Sequence, residues 1–176
     1  MKGKSFEIAI SAVSASFAVI FLSIGVFVPV FELSAYMFAS VALMLPLSKK
    51  IYLGGFLAYL STIILTLLIS GGNFVYVLPV AVFFGLHPFI NSMQLKFNIN
   101  KYLALIVKII WFDISLLLMY KFTELFLAES DLIMEFITKY IYIIIPILGS
   151  AFFIFYDWFI MRAQRMVNIF VERYKK

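Results

Sequence analysis

The chain has 176 residues, 65% of them hydrophobic and 13% charged, and a mean hydropathy of +1.09. Water-soluble domains are roughly half apolar and about a quarter charged, so this composition excludes a soluble core and makes lipid the solvent of the fold. The net charge of +5 falls in short basic clusters between apolar runs, a topology signal rather than a nucleic-acid footprint.

Cysteine is absent, which excludes disulfide and thiolate chemistry, and the single histidine, His87, excludes a multi-histidine metal centre within one chain. The first apolar run, Phe6 to Val30, is too long for a signal-peptide core of ~7–15 residues, although Ser14, Ala15 and Ser16 imitate a cleavage site. It is expected to be an uncleaved first span over 6–29.

A break at Phe31, Glu32 and Leu33 precedes a second span over 34–47, closed by Pro46 and the pair Lys49, Lys50. The third span, 51–69, ends at Ser70, Gly71, Gly72 and Asn73, and the fourth covers 74–93. A polar turn with Gln94, Lys96, Asn98, Asn100 and Lys101 leads to span five, 102–127. The stretch 124–139 is acidic and partly amphipathic, span six covers 140–161, and a basic amphipathic tail over 162–176, with Met166, Ile169 and Phe170 on one side, reads as a helix continuing span six into the inner interface. The expectation is one all-α domain, 1–176, built as a six-helix membrane bundle.

With the N-terminus inside and sides alternating, Lys2, Lys4, Lys49, Lys50, Lys96, Lys101, Arg162, Arg165, Arg173, Lys175 and Lys176 fall in the cytoplasm, against Lys121 and Lys139 outside. Glu32, Glu124, Glu129, Asp131 and Glu135 fall outside. Both termini are therefore expected to be cytoplasmic.

Span one holds a concentration of small residues, with Ser11, Ala15 and Ala18 on one helical face and Ala12 beside them. Gly54, Ala58 and Thr62 repeat at four-residue spacing in span three, and Ala81 and Gly85 in span four. Small residues let helices approach closely in lipid, either within the bundle or against a partner.

Asp113 lies in the middle of span five, where a carboxylate needs a partner or a task; a hydroxyl or amide on a neighbouring helix and a transport role are both open. Lys108 can snorkel to the near interface or meet an acid on another helix. Asp157 reads as an interfacial anchor with Arg162 close by. His87, Pro88 and Asn91 fall in the inner half of span four, Pro88 as a bend and His87 as a packing or hydrogen-bonding residue. On the outer side, Tyr76, Tyr120, Tyr140 and Tyr142 are interfacial belt residues that could collectively line a pocket with Glu32 and Asn73. No GxxxxGK[ST], GxSxG or HExxH motif occurs, so no enzyme activity and no cofactor is expected.

Size, six spans, inside termini, a small-residue first helix and a basic tail together resemble the S components of energy-coupling factor (ECF) transporters along the whole chain. In that family a first-helix Ala-x-x-x-Ala contacts the T component; here Ser11-x-x-x-Ala15, Ala12-x-x-x-Ser16 and Ser14-x-x-x-Ala18 stand in its place. The resemblance implies a subunit of a bacterial plasma-membrane importer, partnered by a T component and two cytoplasmic ATPases and binding a vitamin-like ligand near its outer face. It implies a pocket drawn from Glu32, Tyr36, Asn73, Tyr76, Tyr120 and Tyr142, and a docking face on Ser11, Ala12, Ala15 and Ala18. The chain is also similar in size and span count to the rod-shape-determining membrane protein D family, which implies a scaffold without a ligand.

Overall fold

A computed structural model describes residues 3–126 and 140–173, with side chains over 3–122 and 140–171. Lys2, Glu129, Asp131, Glu135, Lys139, Lys175 and Lys176, and the side chains of Glu124 and Arg173, lie outside the described residues.

The described chain is helical throughout, without strands: α1 (Lys4–Phe27), a single turn at Pro29–Phe31, α2 (Glu32–Ser48), α3 (Tyr52–Ile69), α4 (Phe74–Pro79), a wide turn at Val80–Phe84, α5 (His87–Lys96), α6 (Lys101–Phe126), a helical segment at 140–144, a second wide turn at Ile145–Gly149, and α7 (Ser150–Arg173). Six stretches among the described residues are long and apolar enough to cross a membrane: Lys4–Phe27, Pro29–Ser48, Tyr52–Ile69, Phe74–Lys96, Lys101–Phe122 and Tyr140–Val171. Large apolar side chains such as Ile8, Phe27, Leu53 and Leu68 stand on the outside of these helices, the arrangement a lipid solvent demands. The protein is a multi-pass membrane protein.

One boundary differs from the sequence reading. Glu32 opens α2 instead of sitting in a loop, because Pro29 starts a tight turn that rejoins the helix at once. The tail continues span six as a helix, as the sequence suggests: α7 runs past 161 to Arg173. Ala163, Gln164 and Val171 are buried, while Met166, Ile169 and Phe170 share an exposed side.

The chain gathers into two compact units, Met1–Asn98 with Phe159–Lys176, and Ile99–Trp158. In the first, α1 packs on α2 and α3, and α2 also packs on α5. Ser11, Ser14, Ala15, Ala18, Leu22 and Gly25 form the buried stripe of α1. Their small size sets the spacing: Ser14 Oγ donates to the Ala42 carbonyl at 2.9 Å. A Cβ at Gly25 would strike the Tyr76 hydroxyl and lie 2.9 Å from Ala35 Cβ. The turn between α3 and α4 uses Gly71 and Gly72 at φ of 66° and 85°, where only glycine sits without strain. Lys49 Nζ donates to the Val171 carbonyl at 2.5 Å, tying the end of α7 to the α2–α3 turn.

In the second unit, Phe112 of α6 meets the rings of Phe152 and Phe153 of α7 at centroid distances of 5.9 and 5.4 Å.

Candidate functional site

The fourth span is broken in its middle, and the break explains where the polar side chains of the first unit go. Pro79, Gly85 and Pro88 interrupt the regular ladder. Pro88 has no N–H, so the Phe84 carbonyl four residues before it loses its helical donor. Ser40 Oγ of α2 donates to that carbonyl at 2.7 Å. In the wide turn the Gly85 N–H bonds the Val80 carbonyl rather than that of Ala81, and Tyr59 of α3 donates to Ala81 O at 2.6 Å. The Val80 N–H likewise turns to Val77 O, and Tyr36 of α2 donates to Tyr76 O at 2.8 Å. Three hydroxyls from two neighbouring helices thus serve three carbonyls of the broken span, as they must where no water is available.

Tyr36 links this framework to an acid. Its hydroxyl also lies 2.6 Å from Glu32 Oε1, one turn earlier on α2. Its ring stacks on Phe84 at 5.3 Å and lies 5.4 Å from the ring of Tyr76. The Tyr76 hydroxyl donates to the Leu22 carbonyl of α1 at 2.7 Å, and Asn73 caps α4 by accepting from the Tyr76 N–H at 3.1 Å. Glu32, Tyr36, Asn73 and Tyr76 therefore converge at the end of the first unit away from Lys49 and Lys50. Tyr36 and Tyr76 are buried, Glu32 is half-buried and Asn73 is exposed. Both tyrosine hydroxyls already donate within the chain, which leaves the half-buried carboxylate of Glu32 and the exposed amide of Asn73 as the polar groups nearest the surface. Tyr120 and Tyr142 belong to the second unit; Tyr120 is half-buried and Tyr142 exposed.

The docking candidates on α1 divide. Ala15 and Ala18 are buried in the first unit, with Ser11 at its margin, so their size is spent on packing against α2 and α3; Ala12 is exposed. His87 and Asn91 lie one turn apart on α5, both without exposed surface, the His87 ring 5.4 Å from that of Phe83.

The intramembrane charges resolve in the second unit. Lys108 pairs with Asp157 of α7 at 2.5 Å, both side chains almost enclosed. Asp157 is the acid on another helix that the sequence leaves open for Lys108, and it gives an enclosed ammonium its counter-charge. Asp113 Oδ2 accepts from Ser150 Oγ at 2.9 Å, while Oδ1 is buried without a hydrogen-bond partner, 2.9 Å from where a Cβ on Gly149 would stand.

The sequence reading missed Ser40 and Tyr59. The signal was Pro79, Gly85 and Pro88 within one span, which announce carbonyls in need of outside donors. It also placed Gln94 in the polar turn after span four, whereas Gln94 is buried on α5, and it missed the buried amide Gln164. Among the described residues no group of three or more histidine, aspartate or glutamate side chains is placed to hold a metal ion.

No family model, no curated protein and no solved structure matches this chain.

Proposed function

We propose that this protein is the substrate-binding membrane subunit of an ECF-type importer for a vitamin or related micronutrient, with both termini cytoplasmic in a bacterial plasma membrane. The observation that carries the reading is the cluster of Glu32, Tyr36 and Tyr76 beside a span broken at mid-depth. Interrupted helices flanked by a few directional polar groups are where membrane transporters bind small molecules. Glu32, half-buried, offers an acceptor to a ligand N–H or O–H, while the rings of Tyr36, Tyr76 and Phe84 are buried against one another behind it. Tyr120 and Tyr142 enter the proposal only through the resemblance. The chain has no phosphate-binding loop, so a T component and two cytoplasmic ATPases would supply the energy.

A thermal-shift screen of the detergent-purified protein against vitamins and related heterocycles tests this. One compound should raise the Tm by several degrees at saturating concentration, and Glu32→Gln should abolish the shift without lowering the unliganded Tm comparably. The second reading is a ligand-free membrane scaffold similar to the rod-shape-determining membrane protein D family. It is favoured by the in-chain use of both tyrosine hydroxyls. No shift with any compound, together with pull-downs that lack an ATPase-bearing module, would select it.

A further inference from the structure

A groove of about 740 Å³ runs between α1 and α3 at the end of the first unit that carries Lys4 and Lys50. That volume lies within the ~300–1,000 Å³ typical of small-molecule sites. The helices touch where a Cβ on Gly54 would collide with Ser11 Oγ. Beside this contact the exposed, small Ala12 keeps one wall low, while Ile8, Leu53 and Leu57 form apolar flanks with large exposed surfaces. The mouth is charged. Lys4 and Lys50 line it together with one acid, Glu7. A further cation, Lys96, stands 5.0 Å over the ring of Tyr52, which also lines the groove.

We propose that this groove binds one anionic glycerophospholipid, its acyl chain along Ile8, Leu53 and Leu57 and its phosphate between Lys4 and Lys50. Charge complementarity selects the occupant. Three cations against one carboxylate favour a headgroup of net negative charge over a zwitterionic one, whose cationic part gains nothing from the lysines. The exposed apolar flanks open to the hydrocarbon from which an acyl chain would enter. Neither the importer reading nor the orientation of the termini enters the argument, because anionic lipids can be offered from either side in detergent.

The test is native mass spectrometry of the full chain in mild detergent, after incubation with an equimolar mixture of phosphatidylglycerol and phosphatidylcholine of identical chains. The wild type should retain one phosphatidylglycerol at least ~5-fold over phosphatidylcholine, the preference a single well-placed lysine supplies. The double variant Lys4→Gln/Lys50→Gln should lose the preference, and Glu7→Gln should strengthen it. Ala12→Phe fills the groove from an exposed position; it should abolish retention of both lipids while leaving the Tm unchanged. Equal retention of the two lipids by the wild type, or an undiminished preference in the double glutamine variant, overturns the proposal. So does undiminished retention by a folded Ala12→Phe chain. Should Ala12→Phe fail to fold, the glutamine variants decide alone, because Lys4 and Lys50 are exposed and carry no packing.

Discussion

Ser40 and Phe84 are joined across two helices by a 2.7 Å hydrogen bond from the serine hydroxyl to the phenylalanine carbonyl, and Pro88 is the reason the bond is needed. Proline deprives that carbonyl of its helical donor, and the hydrocarbon core offers no water in its place. Ser40→Ala should therefore cost about 1 kcal/mol, the scale of an interhelical hydrogen bond in a membrane protein. In a Pro88→Ala background, where a backbone N–H returns, the same substitution should cost measurably less. Reversible unfolding in mixed micelles measures both legs of the cycle. Equal costs in the two backgrounds would disconnect Ser40 from the proline.

The Lys108–Asp157 pair makes a prediction about sign. Removing one partner, by Lys108→Met or Asp157→Leu, takes away the counter-charge 2.5 Å from an almost enclosed group and should destabilise by about 3–5 kcal/mol. The double variant should recover most of that loss, since two apolar side chains suit the hydrocarbon environment. Folded yield and Tm of the three variants check this. A double variant as poor as the singles would mean that the pair serves something other than mutual neutralisation.

Gly25 should resist any side chain. A Cβ there meets the Tyr76 hydroxyl, Ala35 Cβ at 2.9 Å and the Glu32 backbone at 3.2 Å. The backbone of Glu32 cannot turn aside as a flexible side chain would. Gly25→Ala should cost about 1–3 kcal/mol by overpacking. Gly3→Ala, with nothing within 4 Å, is the matched control and should leave the Tm within a degree of wild type.

Tyrosines of the same type should behave differently according to what their hydroxyls do. Tyr36→Phe deletes the hydroxyl that donates to Tyr76 O and lies 2.6 Å from Glu32 Oε1, and should lower stability by about 1–2 kcal/mol. Tyr142→Phe removes a hydroxyl from a ring that is 59% exposed and should change stability by less than about 0.5 kcal/mol. A Tyr36→Phe chain melting with the wild type would show that the carbonyl of Tyr76 finds another donor.

Topology can be read by thiol labelling without background, because the chain has no cysteine. Under the proposed orientation, Asn73→Cys should react with an impermeant maleimide on intact cells. Lys101→Cys should react only after permeabilisation. The reverse pattern would invert the protein and move the Glu32 cluster to the cytoplasmic face.

The division into spans was legible in the sequence because hydropathy over some twenty residues is a local property. The breaks at Lys49–Lys50 and Gly71–Gly72 were equally plain, the first because two charges end an apolar run and the second because glycine favours turns. Glu32 was misplaced into a loop because a single tight turn leaves no compositional trace when it runs straight into a helix. Asp113 was read with a hydroxyl on a neighbouring helix among its options, and Ser150 supplies one. The pairing of Lys108 with Asp157 was not legible, because 49 residues separate the two, beyond anything spacing along one helix can reveal.

By itself, the sequence determined the solvent, the helical class and the number of apolar spans, because a chain this apolar must satisfy its backbone internally wherever it meets lipid. Only the tertiary structure decided which hydroxyl serves which carbonyl, that the small residues Ala15 and Ala18 of α1 are consumed within the first unit, and that Lys108 finds Asp157. The physical reason lies in the spans themselves. A helix that is apolar on nearly every side carries little record of its own rotation, and it is rotation that brings a given side chain to its partner.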